Sequence, residues 1–158
     1  MAIQLTQKEK MLLQDQQKHE EICIEKYTNY ANQAQDPELK QLFQSYAKQE
    51  ESHLNSINQM LSGQVPDMSQ GQSQQQPSQM QQPQSSAMQG AMASQSDAAL
   101  CNDMLITEKY ISGAYDTAIF EFVDPNMREA LNHIQKEEQQ HGEGIFNYMS
   151  SKGMYNPQ

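Results

Sequence analysis

Two tetrapeptides constrain this chain more than anything else in it: Glu50-Glu51-Ser52-His53 and Glu138-Gln139-Gln140-His141. Each is an E-x-x-H sequence inside a segment whose apolar residues recur every three or four positions, the pattern of an amphipathic helix. Positions i and i+3 share a helix face, so in both segments a carboxylate and an imidazole point the same way, along the stripe expected to be buried. Buried Glu and His are costly unless something satisfies them, and a metal ion is the usual partner.

A single constant relates the two tetrapeptides. Glu108, Tyr115, Asp124, Pro125, Lys136, Glu138, His141 and Ile145 each lie 88 residues after Glu20, Tyr27, Asp36, Pro37, Lys48, Glu50, His53 and Ile57. The register needs no gap, which predicts a duplicated helical hairpin.

The first hairpin starts with Thr6-Gln7-Lys8-Glu9, a capping box, followed by a stripe through Leu13, Gln16, Glu20, Cys23, Tyr27 and Ala31. Asp36-Pro37-Glu38 supplies an N-cap, a first-turn proline and a first-turn acid for a second helix. That helix carries Leu39, Phe43, Tyr46, Glu50, His53, Ile57 and Met60 on its stripe, and Gly63 is placed to stop it. So short a connection makes the two helices antiparallel. The second half repeats the plan, with Ser96-Asp97 as the expected N-cap, Cys101, Met104, Glu108, Ile111, Tyr115 and Phe122 on the third helix, and Asp124-Pro125 opening the fourth. Met127, Leu131, Ile134, Glu138, His141 and Ile145 form the last stripe, with Lys152-Gly153 as its stop.

Between the hairpins, from 63 to 95, Gln, Ser, Met, Pro and Gly replace the aliphatic residues. Such a tract buries too little area to repay ordering, so it is expected to be a disordered linker, with Met68, Met80, Met88 and Met92 as solvated filler. Roughly 33 such residues have a root-mean-square span of about 30 Å, and more when extended, enough to run along a bundle. The expected organisation is one domain, with hairpins at 1–62 and 96–158 around the linker.

Helical rise places the charged residues at matching heights. Glu20 lies 16 residues before Asp36 and Glu50 lies 14 after it, about 24 and 21 Å from the same hairpin end at ~1.5 Å per residue. The second hairpin has the same separations, so packing the two face to face brings four Glu and two His together in mid-bundle. One E-x-x-H alone is a weak signal. Two at one offset, each with a Glu 30 residues upstream on an apolar stripe, are a strong one. Without an ion, four buried carboxylates would repel each other. A relic of a lost site is the competing reading.

The remaining residues narrow the function classes. A net charge of −10 gives no basic footprint, which argues against nucleic acid or an anionic membrane as partner. No apolar run is long enough for a transmembrane helix, and the first ten residues lack a secretory apolar core, so cytoplasmic synthesis is expected. Cys23 and Cys101 form no C-x-x-C; both fall on apolar stripes as small hydrophobes, and a disulfide between them stays open. His19 and His133, and the acids Glu21, Glu51, Glu137 and Glu143, are expected on solvated faces.

A Glu from each of two helices with Glu-x-x-His from each of two others resembles the ferritin-like dinuclear carboxylate proteins, with spacing similar to the rubrerythrin diiron domain. The resemblance covers both helical halves. It implies an all-α, antiparallel ferritin-like four-helix bundle of two repeated hairpins with a long crossover linker. It implies two Fe or two Mn ions bridged by Glu50 and Glu138, with Glu20 and Glu108 as terminal carboxylates and His53 and His141 on one ion each. Tyr27 and Tyr115 are candidates for hydrogen bonds to the carboxylates, or equally core aromatics. Beyond the metal ligands no catalytic residue is assigned. Rubrerythrins carry a rubredoxin-type site, absent here, and a further active-site Glu that has no assigned counterpart. The ending Met149-Ser-Ser-Lys-Gly-Met-Tyr-Asn-Pro157 resembles the close of coat F domain proteins of the bacterial spore coat.

Two functions follow as expectations. One is a dinuclear iron or manganese protein reacting with peroxide or dioxygen, as a peroxidase- or catalase-like oxidoreductase or in iron oxidation, with another protein as electron donor. The other is a structural spore coat component, homodimeric or part of the coat assembly, whose bundle metal is stabilising or vestigial. An iron-storage cage is a third option, for which the sequence specifies no shell-forming surface.

Overall fold

The computed structural model describes residues 1–69 and 90–155, with backbone alone for 90–96. Among these residues there are four helices and no strand: α1 (Gln7–Gln33), α2 (Pro37–Leu61), α3 (Gly90–Glu121) and α4 (Pro125–Ser151). The expected punctuation is in place. Thr6 and Glu9 form the capping box of α1, and Asp36 and Asp124 cap α2 and α4 ahead of their prolines. Gly63 and Gly153 take φ of 80° and 70°, the left-handed turn that ends a helix.

The bundle is two antiparallel hairpins packed together, α1 with α2 and α3 with α4, α1 facing α3 and α2 facing α4. Across the α2–α4 seam long polar side chains meet, Gln49 with both Glu137 and His141. The directions follow from two buried carboxylates. Glu9, at the start of α1, accepts from Val123 N–H after the end of α3 (2.9 Å). Asp97, near the start of α3, accepts from Gln35 and Asp36 N–H in the α1–α2 turn (2.9 and 3.0 Å). So α1 and α3 are antiparallel, and the end of α2 and the start of α3 lie at opposite ends of the bundle. A crossover must join them.

Three expectations change. Helix α3 begins at Gly90 rather than near Ser96, since Ala91, Met92, Ala93 and Gln95 have good helix propensity. Asp97 is not an N-cap: it is 2% exposed and serves the other hairpin's turn. The expected disorder does not begin at 63, because Ile3 N–H donates to Gly63 C=O (2.8 Å), Pro66 is buried and Met68 packs on the core. The centre of that tract, 70–89 with Met80 and Met88, lies outside the described residues. Cys23 and Cys101 are buried and free, which closes the disulfide option.

The core divides into two apolar clusters. One end is filled by residues such as Leu13, Ile57, Met60, Phe122, Met127 and Leu131, the other by Leu39, Phe43, Cys101, Met104, Ile145 and Met149. Between them runs a belt of buried ionisable groups.

Candidate metal centre

All four helices contribute to the belt. Glu20 comes from α1, Glu50 and His53 from α2, Glu108 from α3, Glu138 and His141 from α4, and each is between 0% and 3% exposed. They form two overlapping groups, Glu20–Glu50–His53–Glu138 and Glu50–Glu108–Glu138–His141, within each of which one ligand-capable atom per residue lies within 4.8 Å of the others. Glu50 and Glu138 belong to both. The sequence therefore located every member of the cluster, and the structure brings all six together.

Both imidazoles turn Nδ1 inward. His53 Nδ1 is 3.0 Å from Glu138 Oε1, 3.1 Å from Glu50 Oε2 and 3.8 Å from Glu20 Oε2. His141 Nδ1 is 2.9 Å from Glu50 Oε1, 3.4 Å from Glu108 Oε1 and 3.5 Å from Glu138 Oε2. The tyrosines bond crosswise: Tyr27 Oη donates to Glu108 and Tyr115 Oη to Glu20, each linking α1 to α3. Both are 0% exposed and also fill core volume, so the two readings of these tyrosines hold together.

Protons balance the charge in the ion-free cluster. Burial, then the Glu50 and Glu138 charges, push the Glu20 carboxyl far above its usual range. Burial and Glu138 raise Glu108 to about 8, against the pull of His141. For Glu50, burial is outweighed by hydrogen bonds from Glu20, His141 and His53, which hold it at about 2. Glu138 is likewise depressed, with burial and the Glu50 charge outweighed by bonds from Glu108, His141 and His53. Burial lowers both imidazoles, but their carboxylate partners raise them well above the usual histidine range. The upward shifts of two carboxyls and of both imidazoles act together to reduce the negative charge that four buried Glu would otherwise carry.

Those bonds do not satisfy every atom. Glu20 Oε2, Glu108 Oε2 and Glu138 Oε2 are buried without a hydrogen-bond partner. In the ion-free cluster the donors within reach of these oxygens are the carboxyl protons shared with neighbouring Glu and the inward-facing imidazole nitrogens, and a cation bound among them would replace those protons. Oxygen-rich, nitrogen-poor donors suit hard divalent ions such as Fe(II) and Mn(II).

The structure adds residues that the stripes did not flag. Glu137, expected on a solvated face, is 9% exposed. Its carboxylate lies 3.2 Å from His53 Nε2, 2.5 Å from His133 Nε2 and 2.7 Å from Gln49 Nε2. Gln49 Oε1 in turn lies 2.7 Å from His141 Nε2. Gln49 and Glu137 are 88 residues apart, so the repeat register already paired them; the α2–α4 seam that buries them was invisible in either helix alone. Tyr46, which is on the α2 stripe, stacks on His141 with centroids 4.2 Å apart, lying so close over α4 that a Cβ on Gly144 would meet its hydroxyl. His133 is half-buried by its contact with Glu137, and His19 is half-buried with Nδ1 2.7 Å from Gln16 Oε1. Glu21, Glu51 and Glu143 are exposed, as expected.

A pocket of about 500 Å³ opens between α3 and α4, with Glu108 and Glu138 in its wall beside Leu105, Gly142, Phe146 and Tyr155. No helix among the described residues is long and apolar enough to cross a membrane. Residues 96–158, which carry Glu108, Glu138 and His141, match the family model of the Coat F domain. Comparison with curated proteins and with solved structures gives no match.

Proposed function

We propose that this protein is a spore coat component whose four-helix bundle binds two divalent iron or manganese ions, and that the ions tie its two hairpins together. The Coat F match over the second hairpin supports the coat assignment. The observation that carries the metal reading is the convergence of four buried Glu and two buried His from all four helices into two overlapping groups whose donor atoms lie within 4.8 Å of one another. Glu50 and Glu138 would bridge the ions, Glu20 and His53 would hold one side, Glu108 and His141 the other. Because the donors come from both hairpins, binding opposes separation of the hairpins. An ion at a hundredfold excess over its Kd adds about 2.7 kcal/mol. For a chain of this size that is roughly 5–10 °C in Tm.

The test is metal titration of chelator-stripped protein with Mn(II) and, anaerobically, Fe(II), read by bound stoichiometry and Tm. The expected result is two ions per chain with a stepwise rise in Tm. A Glu50→Ala, Glu138→Ala variant should bind neither. If the wild type holds no more metal than that folded variant, the reading fails.

The pocket reaching Glu108 and Glu138 favours a second reading, a peroxide- or dioxygen-reactive oxidoreductase served by an external electron-donor protein. Two bound ions would supply one electron each to an O–O bond. The chain's part would be to admit a small molecule between α3 and α4, hold the bridging carboxylates with the imidazoles, and keep Glu20 and Glu108 oriented through Tyr115 and Tyr27. Turnover of peroxide by the metal-loaded protein, lost in the double variant, would favour this reading. Inertness with both ions bound would leave the structural one.

A further inference from the structure

The repeat predicts two equal halves of the centre, yet its surroundings differ on the two sides. Behind His53, Nε2 meets the Glu137 carboxylate at 3.2 Å; behind His141, Nε2 meets the neutral amide oxygen of Gln49 at 2.7 Å. A carboxylate partner makes an imidazole a stronger donor to metal than an amide does.

Access differs in the same direction. The α3–α4 pocket is lined by Glu108, which belongs only to the His141 side, and by Glu138, which belongs to both; none of its lining residues belongs to the His53 side alone. The corresponding face between α1 and α2 is lined by different residues. There Leu54 stands where α4 has Gly142, and Gln17 Nε2 donates to Asn58 Oδ1 (2.6 Å), at the repeat positions of Leu105 and Phe146. A Cβ on Gly142 would meet only Leu105 Cδ1, at 3.9 Å, so the pocket has room for a side chain that α4 does not supply.

From these two asymmetries we infer that the two ion positions are inequivalent: the ion on the His53 side is retained, and the ion on the His141 side exchanges with solvent through the α3–α4 pocket. This rests on the metal reading above. Glu137 is then a positioning residue for the retained ion, and Gly142 keeps the second position open.

The experiment loads the full chain with Mn(II), adds excess chelator, and follows release by the electron paramagnetic resonance of the freed ion. Wild type should release its ions in two equal phases whose rates differ at least tenfold. Gly142→Leu, which copies the residue of the other hairpin into a helix that tolerates it better than Gly, should slow the fast phase several-fold and leave the slow one unchanged. Glu137→Gln should raise the dissociation constant of the slow ion about 10–100-fold and spare the fast ion. A general loss of structure would move both ions, so selectivity is the readout, with circular dichroism confirming helicity. Two ions leaving in one phase, or a Gly142→Leu variant with both rates unchanged, overturns the inference while leaving the metal reading intact. Absence of bound Mn(II) in folded wild type overturns both.

Discussion

The ends of the bundle and its middle are built on opposite terms. Leu131, Ile57 and Met127 at one end, and Phe43, Leu39 and Ile145 at the other, are fully buried aliphatic and aromatic groups, each stabilising the fold by about 1.5–3 kcal/mol. The belt between them buries six ionisable side chains that stay compatible with burial through shared protons and hydrogen bonds. Replacing such a network with apolar residues is often neutral or stabilising, so the belt is weak support for the fold. The comparison teaches that the apolar ends stabilise the fold whether or not an ion is present, so the ion binding proposed for the middle can be tested apart from them.

The most forceful way to break that comparison is Leu131→Ala, a cavity in the apolar end near Phe122 and Met127. It should cost about 2–5 kcal/mol in urea denaturation of the stripped protein. Below its Tm the variant should still bind two Mn(II). Loss of the ions in a folded Leu131→Ala protein would mean that end packing sets belt geometry.

Asp97→Ala comes next. It removes the acceptor for Gln35 and Asp36 N–H, and two donors in the turn lose their partner. The expected loss is about 1–3 kcal/mol, with ion stoichiometry unchanged. An unaltered urea midpoint would show that the clamp between hairpins carries no weight.

Asp97 also marks the boundary of what the sequence could disclose. Periodicity and punctuation located α1, α2 and α4, and the offset of 88 located all six members of the cluster, because each signal lies within one helix or one register. The contacts between hairpins have no such local signature. Asp97 looks like an N-cap in sequence because its true partners, Gln35 and Asp36, are 62 and 61 residues away. Yet the register held a clue: Asp97 lies 88 after Glu9, and Val123 lies 88 after Gln35, so each hairpin's opening acid reaches the other's turn. Glu137 was assigned to solvent by the same limitation, since burial of an off-stripe residue depends on which seam closes over it.

Within the belt, Tyr27→Phe sharpens the comparison. Glu108 loses its hydroxyl donor at little change in volume. The stripped protein should lose only about 1 kcal/mol, whereas Mn(II) affinity should fall about tenfold or more. Calorimetric titration separates the two. An equal effect on stability and none on affinity would make Tyr27 a core aromatic alone.

The smallest expected effect is Asp36→Asn, at the apolar end away from the belt. Burial raises the Asp36 carboxyl, but the Tyr148 hydroxyl (2.6 Å), the Glu38 N–H and Lys152 outweigh it, so its pKa is depressed below the ordinary aspartate value. A depressed folded pKa stabilises above the unfolded value of about 3.9, and that contribution disappears as pH falls through the folded value. Asn keeps the N-cap, so the variant should be less stable than wild type at pH 7 by under about 1 kcal/mol. The gap should close as pH drops below about 4, and it should be the same with and without Mn(II) wherever the ions stay bound. A gap that changes on loading would couple this end of the bundle to the belt, and the separation of stability from ion binding would have to be given up there.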